Sequence, residues 1–207
     1  MVELPPRRSP LAAVYRPGNF GSVAASGPGI VLCERRGRCI VQLAARDERY
    51  ESAAARIEDR LGLPLPRTPN RASVAGALAA LWTGPGRALV VGPDSRDLEA
   101  ELAAALDGEG SVALTDLSHA RAIIRIAGPR LRDLLAKGCG LDFHPRAFAA
   151  GACVQSAYHH VNVLIHAVDD SPAAELYAPR GFACALWEHL VDGAHELGCR
   201  VEADSAA

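Results

Sequence analysis

Within eight residues, from 137 to 144, the chain places its single lysine, a cysteine, a carboxylate and a histidine, in the run Lys137-Gly138-Cys139-Gly140-Leu141-Asp142-Phe143-His144. Two chemistries suit that spacing. A cation beside a thiol lowers the thiol's pKa and favours the nucleophilic thiolate, so Lys137 and Cys139 read as a reactive pair. Asp142 and His144 come just before Pro145, whose ring drives the residue ahead of it toward extended geometry. In an extended chain residues two apart share a side, so these two could act as a base and its orienting partner. The same residues also describe a helix exit. A lysine in the last turn complements the helix dipole, a glycine after it caps the end, and a loop aspartate accepts backbone amides. No nucleophile elbow or adjacent triad context accompanies them, so the residues alone predict a helix ending and no catalytic group.

Metal-ligand spacing is weaker still. His159 and His160 are neighbours in an expected strand and face opposite sides of it. His195 and Cys199 stand four apart, but Gly198 ends the expected helix between them. Cys33 and Cys39 flank an expected hairpin turn, two ligands without the second pair a zinc site needs. These spacings predict no metal. The glycines at 18, 21, 27, 29, 84 and 86 follow neither dinucleotide nor P-loop spacing. Arg35-Arg36-Gly37-Arg38 could meet phosphate or an acidic partner; without interleaved aromatics it reads as a solvated turn.

Composition narrows the class. A formal net charge of -2 gives no general pull toward nucleic acid or an anionic membrane. With 49% hydrophobic and 22% charged residues over 207 positions, the chain can bury a core as one domain or two interlocked halves. No uninterrupted apolar run approaches the roughly 20 residues of a membrane span. The opening Met1-Val2-Glu3-Leu4-Pro5-Pro6-Arg7-Arg8 lacks the apolar centre of a signal peptide. Six scattered cysteines without a CxxC pair read as buried, reduced thiols in a cytoplasmic protein.

The elements that must position these residues follow from periodicity. Residues 1–28, rich in proline, glycine and serine, predict an irregular N-terminal arm, ordered against a partner. From 29 to 207 the pattern predicts a single α+β domain. Its first strands, 30–33 and 39–43, are joined as a hairpin about Gly37. A helix from about Asp47 places Tyr50, Ala54, Ile57 and Leu61 on one face and stops at Gly62 and Pro64. A connector and a small alanine-rich segment lead to the turn 81–86 and a strand at 87–91. Asp94 or Ser95 caps the next helix, with Leu98, Leu102, Ala105 and Leu106 as its face. Strands at 111–114 and 121–127 precede a helix that opens with Pro129 and closes at Gly138. A long hairpin then runs from Cys153 through Val168, turns at Asp169-Asp170-Ser171-Pro172 and returns through Tyr177. The last helix spans about 180–197, with Leu186, Trp187, Leu190 and Ala194 in its stripe. Strand pairs interrupted by helices argue for mostly antiparallel sheets with packed helices.

Several ordered segments together resemble the gamma subunit of heterotetrameric sarcosine oxidase. They are Leu81-Trp82-Thr83-Gly84-Pro85-Gly86-Arg87-Ala88-Leu89-Val90; Asp116-Leu117-Ser118-His119; Gly128-Pro129 with 134–148; Gly151-Ala152-Cys153-Val154-Gln155; and Leu176-Tyr177-Ala178-Pro179-Arg180 with Leu186-Trp187. That family in turn is similar to the folate-binding domain of the aminomethyltransferases, the glycine-cleavage T-protein group. Asp142 falls at the position resembling that group's functional aspartate, which makes it a relic of a folate site. The downstream Gly-Gly-x-x-Asp-Asp-like segment and the second, substrate-covering domain of that group have no counterpart here. A related family continues Lys-Gly-Cys with an aromatic and Gly-Gln-Glu. Here Gly140-Leu141-Asp142 follows Cys139, so its reactive cysteine is not carried over.

The resemblance implies a structural and assembly subunit without catalytic, cofactor-binding or metal residues of its own. The complex it implies demethylates sarcosine oxidatively to glycine, with hydrogen peroxide and formaldehyde or 5,10-methylenetetrahydrofolate as the other products. FAD, FMN, NAD and tetrahydrofolate are then held by the partner alpha, beta and delta subunits. The expected contact surfaces are the proline-rich arm and apolar helix faces. The alternative is an independent folate-dependent one-carbon enzyme, aminomethyltransferase-like, that uses Asp142.

Overall fold

The computed structural model describes residues 8–46, 48–169 and 171–203. Met1 to Arg7, the expected helix start Asp47, Asp170 in the expected turn, and residues 204–207 lie outside the described residues. Among the described residues there are four α-helices and twelve strands, the strands forming two sheets. In chain order the elements are β1 (Gly18–Phe20), β2 (Ile30–Glu34), β3 (Arg38–Ala45), α1 (Glu48–Leu61), β4 (Ala72–Ala75), β5 (Leu78–Gly84), β6 (Arg87–Pro93), α2 (Leu98–Ala105), β7 (Val112–Asp116) and β8 (Arg121–Ala127). They continue with α3 (Leu131–Gly138), β9 (Cys153–Tyr158), β10 (Val161–Asp169), β11 (Ala173–Pro179), a 3-10 turn (Arg180–Phe182), α4 (Ala183–His195) and β12 (Cys199–Val201).

One sheet has the order β1-β12-β2-β8-β11-β10-β9, the other β4-β5-β6-β3-β7. Among the described strands only β12 and β2 pair in parallel, so the class is α+β with mostly antiparallel sheets. The two-residue alternation of the strands builds three cores. Ile124 and Ile126 of β8, with Ile165 of β10, point to α3 and α4. Val41 and Leu43 of β3 point to α1 and α2. Ile40, Leu89, Ile123, Leu164 and Tyr177 meet between the sheets. The layers therefore run helices, sheet, sheet, helices.

Local signals explain the helices. In α1, Tyr50, Ala53, Ala54 and Ile57 are buried at helical spacing, and Gly62, at φ +65°, donates its N–H to the Glu58 carbonyl to end it. The cap of α2 differs from expectation. Asp97, not Asp94 or Ser95, accepts the Ala100 N–H at 3.1 Å, because the helix starts one turn later.

The chain departs from the expected path at three places. Strands β2 and β3 form no hairpin: β2 pairs with β8 and β12, β3 with β6 and β7. Gly37, at φ +67°, turns the chain from one sheet to the other. Leu32 belongs to the α3/α4 core and Leu43 to the α1/α2 core, a difference that local alternation does not carry. The alanine-rich stretch at 72–84 is a hairpin, β4 with β5, turning at Gly76 at φ +59°. The first arm of the expected long hairpin, from Cys153 through Val168, is two strands folded back at His159-His160, while its pairing with the returning strand through Tyr177 is present as β10 with β11.

Residues 8–28, expected to need a partner for order, pack on their own chain. Leu11 is fully buried, and the Tyr15 ring stacks on Trp187 of α4 at 4.9 Å. Tyr15 Oη donates to the Glu202 carbonyl at 2.9 Å, and β1 pairs with β12. Trp187 presents a large apolar face that the helix alone leaves uncovered, and Tyr15 covers it.

Candidate functional site

Helix α3 presents Leu131, Leu134 and Leu135 to the core and leaves Lys137 on the side toward α4. Lys137 Nζ donates to the Gly193 carbonyl and pairs with the Glu196 carboxylate. The lysine thus serves the C-terminal end of α4, a neighbouring helix, where its charge opposes the negative end of that dipole. Cys139 takes the extended conformation at φ -135°, and its N–H closes α3 on the Leu135 carbonyl at 3.0 Å. Its side chain turns the other way. Cys139 is 5% exposed, and its thiol donates to Ser156 Oγ of β9 at 3.3 Å. The ammonium serves α4 and the thiol β9, so each has a structural partner of its own.

Gly138 is not the left-handed cap that the sequence suggests. It is the last helical residue, and its φ is not among the positive ones. A Cβ at that position would come within 2.5 Å of the Tyr158 ring, so the glycine is required by close approach. Tyr158 Oη donates to the Leu134 carbonyl at 3.0 Å, and burial pushes its pKa up to about 12.

Asp142 and His144 are both exposed and each turns back on its own loop. Asp142 Oδ1 accepts the His144 N–H at 2.8 Å, and His144 Nδ1 accepts the Arg146 N–H at 3.2 Å. The stretch is irregular rather than extended, which removes the same-side pairing expected from Asp-x-His. Phe143 and Phe148, edge to face at 5.2 Å and both buried, pin the loop to the core.

The histidines differ from expectation too. His159 sits in a tight turn at φ +50°, so His159 and His160 do not face opposite sides of a strand. Their rings lie 4.4 and 5.3 Å from the His189 ring of α4. Among the described residues no three His, Cys, Asp or Glu side chains converge as a metal set. His195 ends α4 exposed, Cys199 is fully buried in β12, and Cys33 and Cys39 belong to different sheets. Burial raises the pKa of Cys33 and Cys39, and lifts Cys153 to about 12 and Cys199 to about 11, so these thiols lack thiolate character.

Two features escape sequence reasoning. His166 of β10 is 3% exposed, and neither ring nitrogen has a hydrogen-bond partner. Burial lowers its pKa, partly countered by Glu175 and reinforced by Arg125. The Arg35-Arg36-Gly37-Arg38 turn, expected to be solvated, instead forms one wall of a cleft whose other arginines come from distant parts of the chain. No run of residues signals such a cluster.

The model of the sarcosine oxidase, gamma subunit family matches residues 45–196. The chain is 32% identical over 160 residues to the sarcosine oxidase subunit gamma of Arthrobacter sp, covering 77% of this chain and 76% of the relative. It is 35% identical over 114 residues to that of Corynebacterium sp. (strain P-1), covering 54% of this chain and 55% of the relative. Among solved structures it is similar to a chain of the heterotetrameric sarcosine oxidase from Corynebacterium sp. U-96 in complex with pyrrole 2-carboxylate. There the TM-score is 0.78 at 25% identity, over 97% of this chain and 99% of that one. The glycine cleavage system aminomethyltransferase T from Bartonella henselae shares the fold, with a TM-score of 0.62 at 16% identity over 84% of this chain and 48% of that one. Matched by the family model over most of its length, the chain belongs to the sarcosine oxidase gamma subunit family.

Proposed function

We propose that the chain is the gamma subunit of a heterotetrameric sarcosine oxidase and contributes structure and assembly rather than chemistry. The observation that carries this reading is similarity along nearly the whole length to one chain of such a heterotetramer. The engagement of Lys137, Cys139, Asp142 and His144 in helix ends, strand contacts and loop turns supports it. The complex oxidises the N-methyl group of sarcosine, passes two electrons to a flavin and then to oxygen, and releases glycine and hydrogen peroxide. The one-carbon unit leaves as formaldehyde or as 5,10-methylenetetrahydrofolate. FAD, FMN, NAD and tetrahydrofolate belong to the alpha, beta and delta partners in this reading, and the setting is the cytoplasm. In this reading residues 29–207 act as a single unit, with residues 8–28 packed against it.

An Asp142-based folate enzyme fits less well. Its carboxylate already accepts the His144 amide on an exposed loop, and the aminomethyltransferase likeness extends over less than half of that chain. Co-expression with the three partner chains tests the reading: the chain copurifies with a flavin-coloured complex that oxidises sarcosine. Tetrahydrofolate binding by the isolated chain, measured by calorimetry, would instead favour the folate enzyme.

A further inference from the structure

Where the chain crosses between the sheets, guanidinium groups gather. Arg35, Arg36 and Arg38 come from the crossing itself, Arg121 from the start of β8, Arg180 from the turn before α4, and Arg8 from the N-terminal segment. Six of the 22 basic residues of a chain with net charge -2 thus line one cleft of about 230 Å3. Its wall holds two carboxylates, Glu34 and Asp94, and a third, Glu175, pairs with Arg35 at 3.3 Å, which leaves three positive charges in excess. Glu34 is already engaged: its Oε2 accepts the Ser9 hydroxyl at 2.5 Å and Arg36 Nε–H at 2.8 Å. Arg180 donates to the Arg8 carbonyl. The Arg121 side chain is half-buried, and its guanidinium has no hydrogen bond or ion pair with another described side chain. Arg8 is exposed and the other five are half-buried, so the cleft is open to a ligand yet partly desolvated.

Like charges gathered in a partly desolvated cleft raise its free energy until an anion joins them. Guanidinium forks match carboxylates in two-pronged geometry, which makes arginine the residue for such contacts. Three excess charges supplied by separate backbone segments exceed what one small anion neutralises. A peptide bearing several carboxylates matches both their number and their spread.

We propose that this cleft receives an acidic segment of a partner chain of the oxidase, with two or more Asp or Glu carboxylates held by Arg121 and Arg180. The proposal rests on reading the chain as a subunit. The test is assembly of the full complex with the wild-type chain, with Arg121→Gln, with Arg180→Gln, with both, and with Arg60→Gln of α1 as a control away from the cleft. Circular dichroism melting checks that each variant folds; if Arg121→Gln does not, Arg180→Gln alone carries the comparison. The double variant is expected to bind its partners about tenfold or more weakly at about 0.15 M salt, with a flatter dependence on salt, while Arg60→Gln binds like wild type. Unchanged affinity and salt dependence in folded cleft variants overturns the proposal while leaving the subunit reading intact. Stabilisation of the isolated chain by micromolar inorganic phosphate, lost in a double variant that still assembles normally, assigns the cleft to a small anion and also overturns it. Failure of the wild-type chain to assemble overturns the subunit reading, and this proposal with it.

Discussion

Tyr158 lies across Gly138 so closely that a Cβ on residue 138 would approach the ring Cζ to 2.5 Å. The contact ties the exit of α3 to the end of β9, and the Tyr158 hydroxyl adds a bond to the Leu134 carbonyl one turn back. Gly138→Ala should therefore destabilise the chain by overpacking, by about 1–3 kcal/mol. In a chain of this size that corresponds to roughly 2–4 °C of Tm per kcal/mol. Thermal melting checks it, and Tyr158→Leu should relieve much of the loss when combined with Gly138→Ala. A loss equal to the sum of the two single changes would place the strain elsewhere.

Buried acids make the fold sensitive to alkali. Burial raises Tyr50 and Tyr158 to about 12, Cys153 to about 12 and Cys199 to about 11, against ordinary values of 10 for tyrosine and 9 for cysteine. Between the ordinary and raised values the folded chain holds protons that the unfolded chain releases, so stability falls as pH rises. Melting temperature should decline from about pH 9 toward pH 12. At pH 8 the thiols of Cys153 and Cys199 should resist a thiol reagent until the chain is unfolded.

His166 works in the opposite direction. Its lowered pKa means that the folded chain declines a proton that the unfolded chain accepts below 6.5. Stability from this group is present above 6.5 and is lost as pH falls below it. Replacement by an apolar side chain removes both unpartnered ring nitrogens as well as the titration. Urea unfolding of His166→Leu at pH 7.5 and pH 5 should show a smaller acid loss than wild type; an equal loss would assign the acid sensitivity to other groups.

Lys137 and Cys139 give a direct contrast between structure and chemistry. Lys137→Met removes the ion pair to Glu196 and the bond to the Gly193 carbonyl. It should lower the melting temperature only slightly, as loss of a solvent-screened ion pair does. Sarcosine turnover by an assembled complex carrying Lys137→Met or Cys139→Ser should equal that of wild type. A fall in kcat at unchanged assembly would restore the reactive pair.

Asp142→Asn keeps an oxygen that can accept the His144 amide, so the loop should hold its shape. The tetrahydrofolate dependence of the complex should then be unchanged. A selective loss of the folate-dependent product at normal peroxide yield would make Asp142 a working folate residue.

The sequence discloses the elements whose cause is local. Helix α1 shows its buried stripe and its stop at Gly62, β8 matches the expected 121–127 strand, and α4 shows Leu186, Trp187 and Leu190 in one face. It conceals what depends on distant partners. The alternation around Gly37 is the same for a hairpin as for a crossing between sheets, and only the cores that receive Leu32 and Leu43 tell the two apart. Gly138 looks like a cap because the ring that excludes a side chain lies 20 residues away at Tyr158. The arginine cleft is invisible for the same reason: Arg8, Arg38, Arg121 and Arg180 meet only after both sheets have formed. The Lys137 to His144 run is legible as a helix exit, but the partners that occupy its side chains, Glu196, Gly193 and Ser156, are not.

The proposed role of this chain, completing a flavin-bearing complex without chemistry of its own, is open to a direct test. Coexpressing it with the other chains of the proposed heterotetramer, then passing the product through size exclusion while recording flavin absorbance and sarcosine-dependent peroxide, tests this most directly. The chain should elute with the flavin and the activity, and alone it should be colourless and inactive. Elution apart from a fully active flavin complex, or sarcosine or folate turnover by the isolated chain, would contradict it.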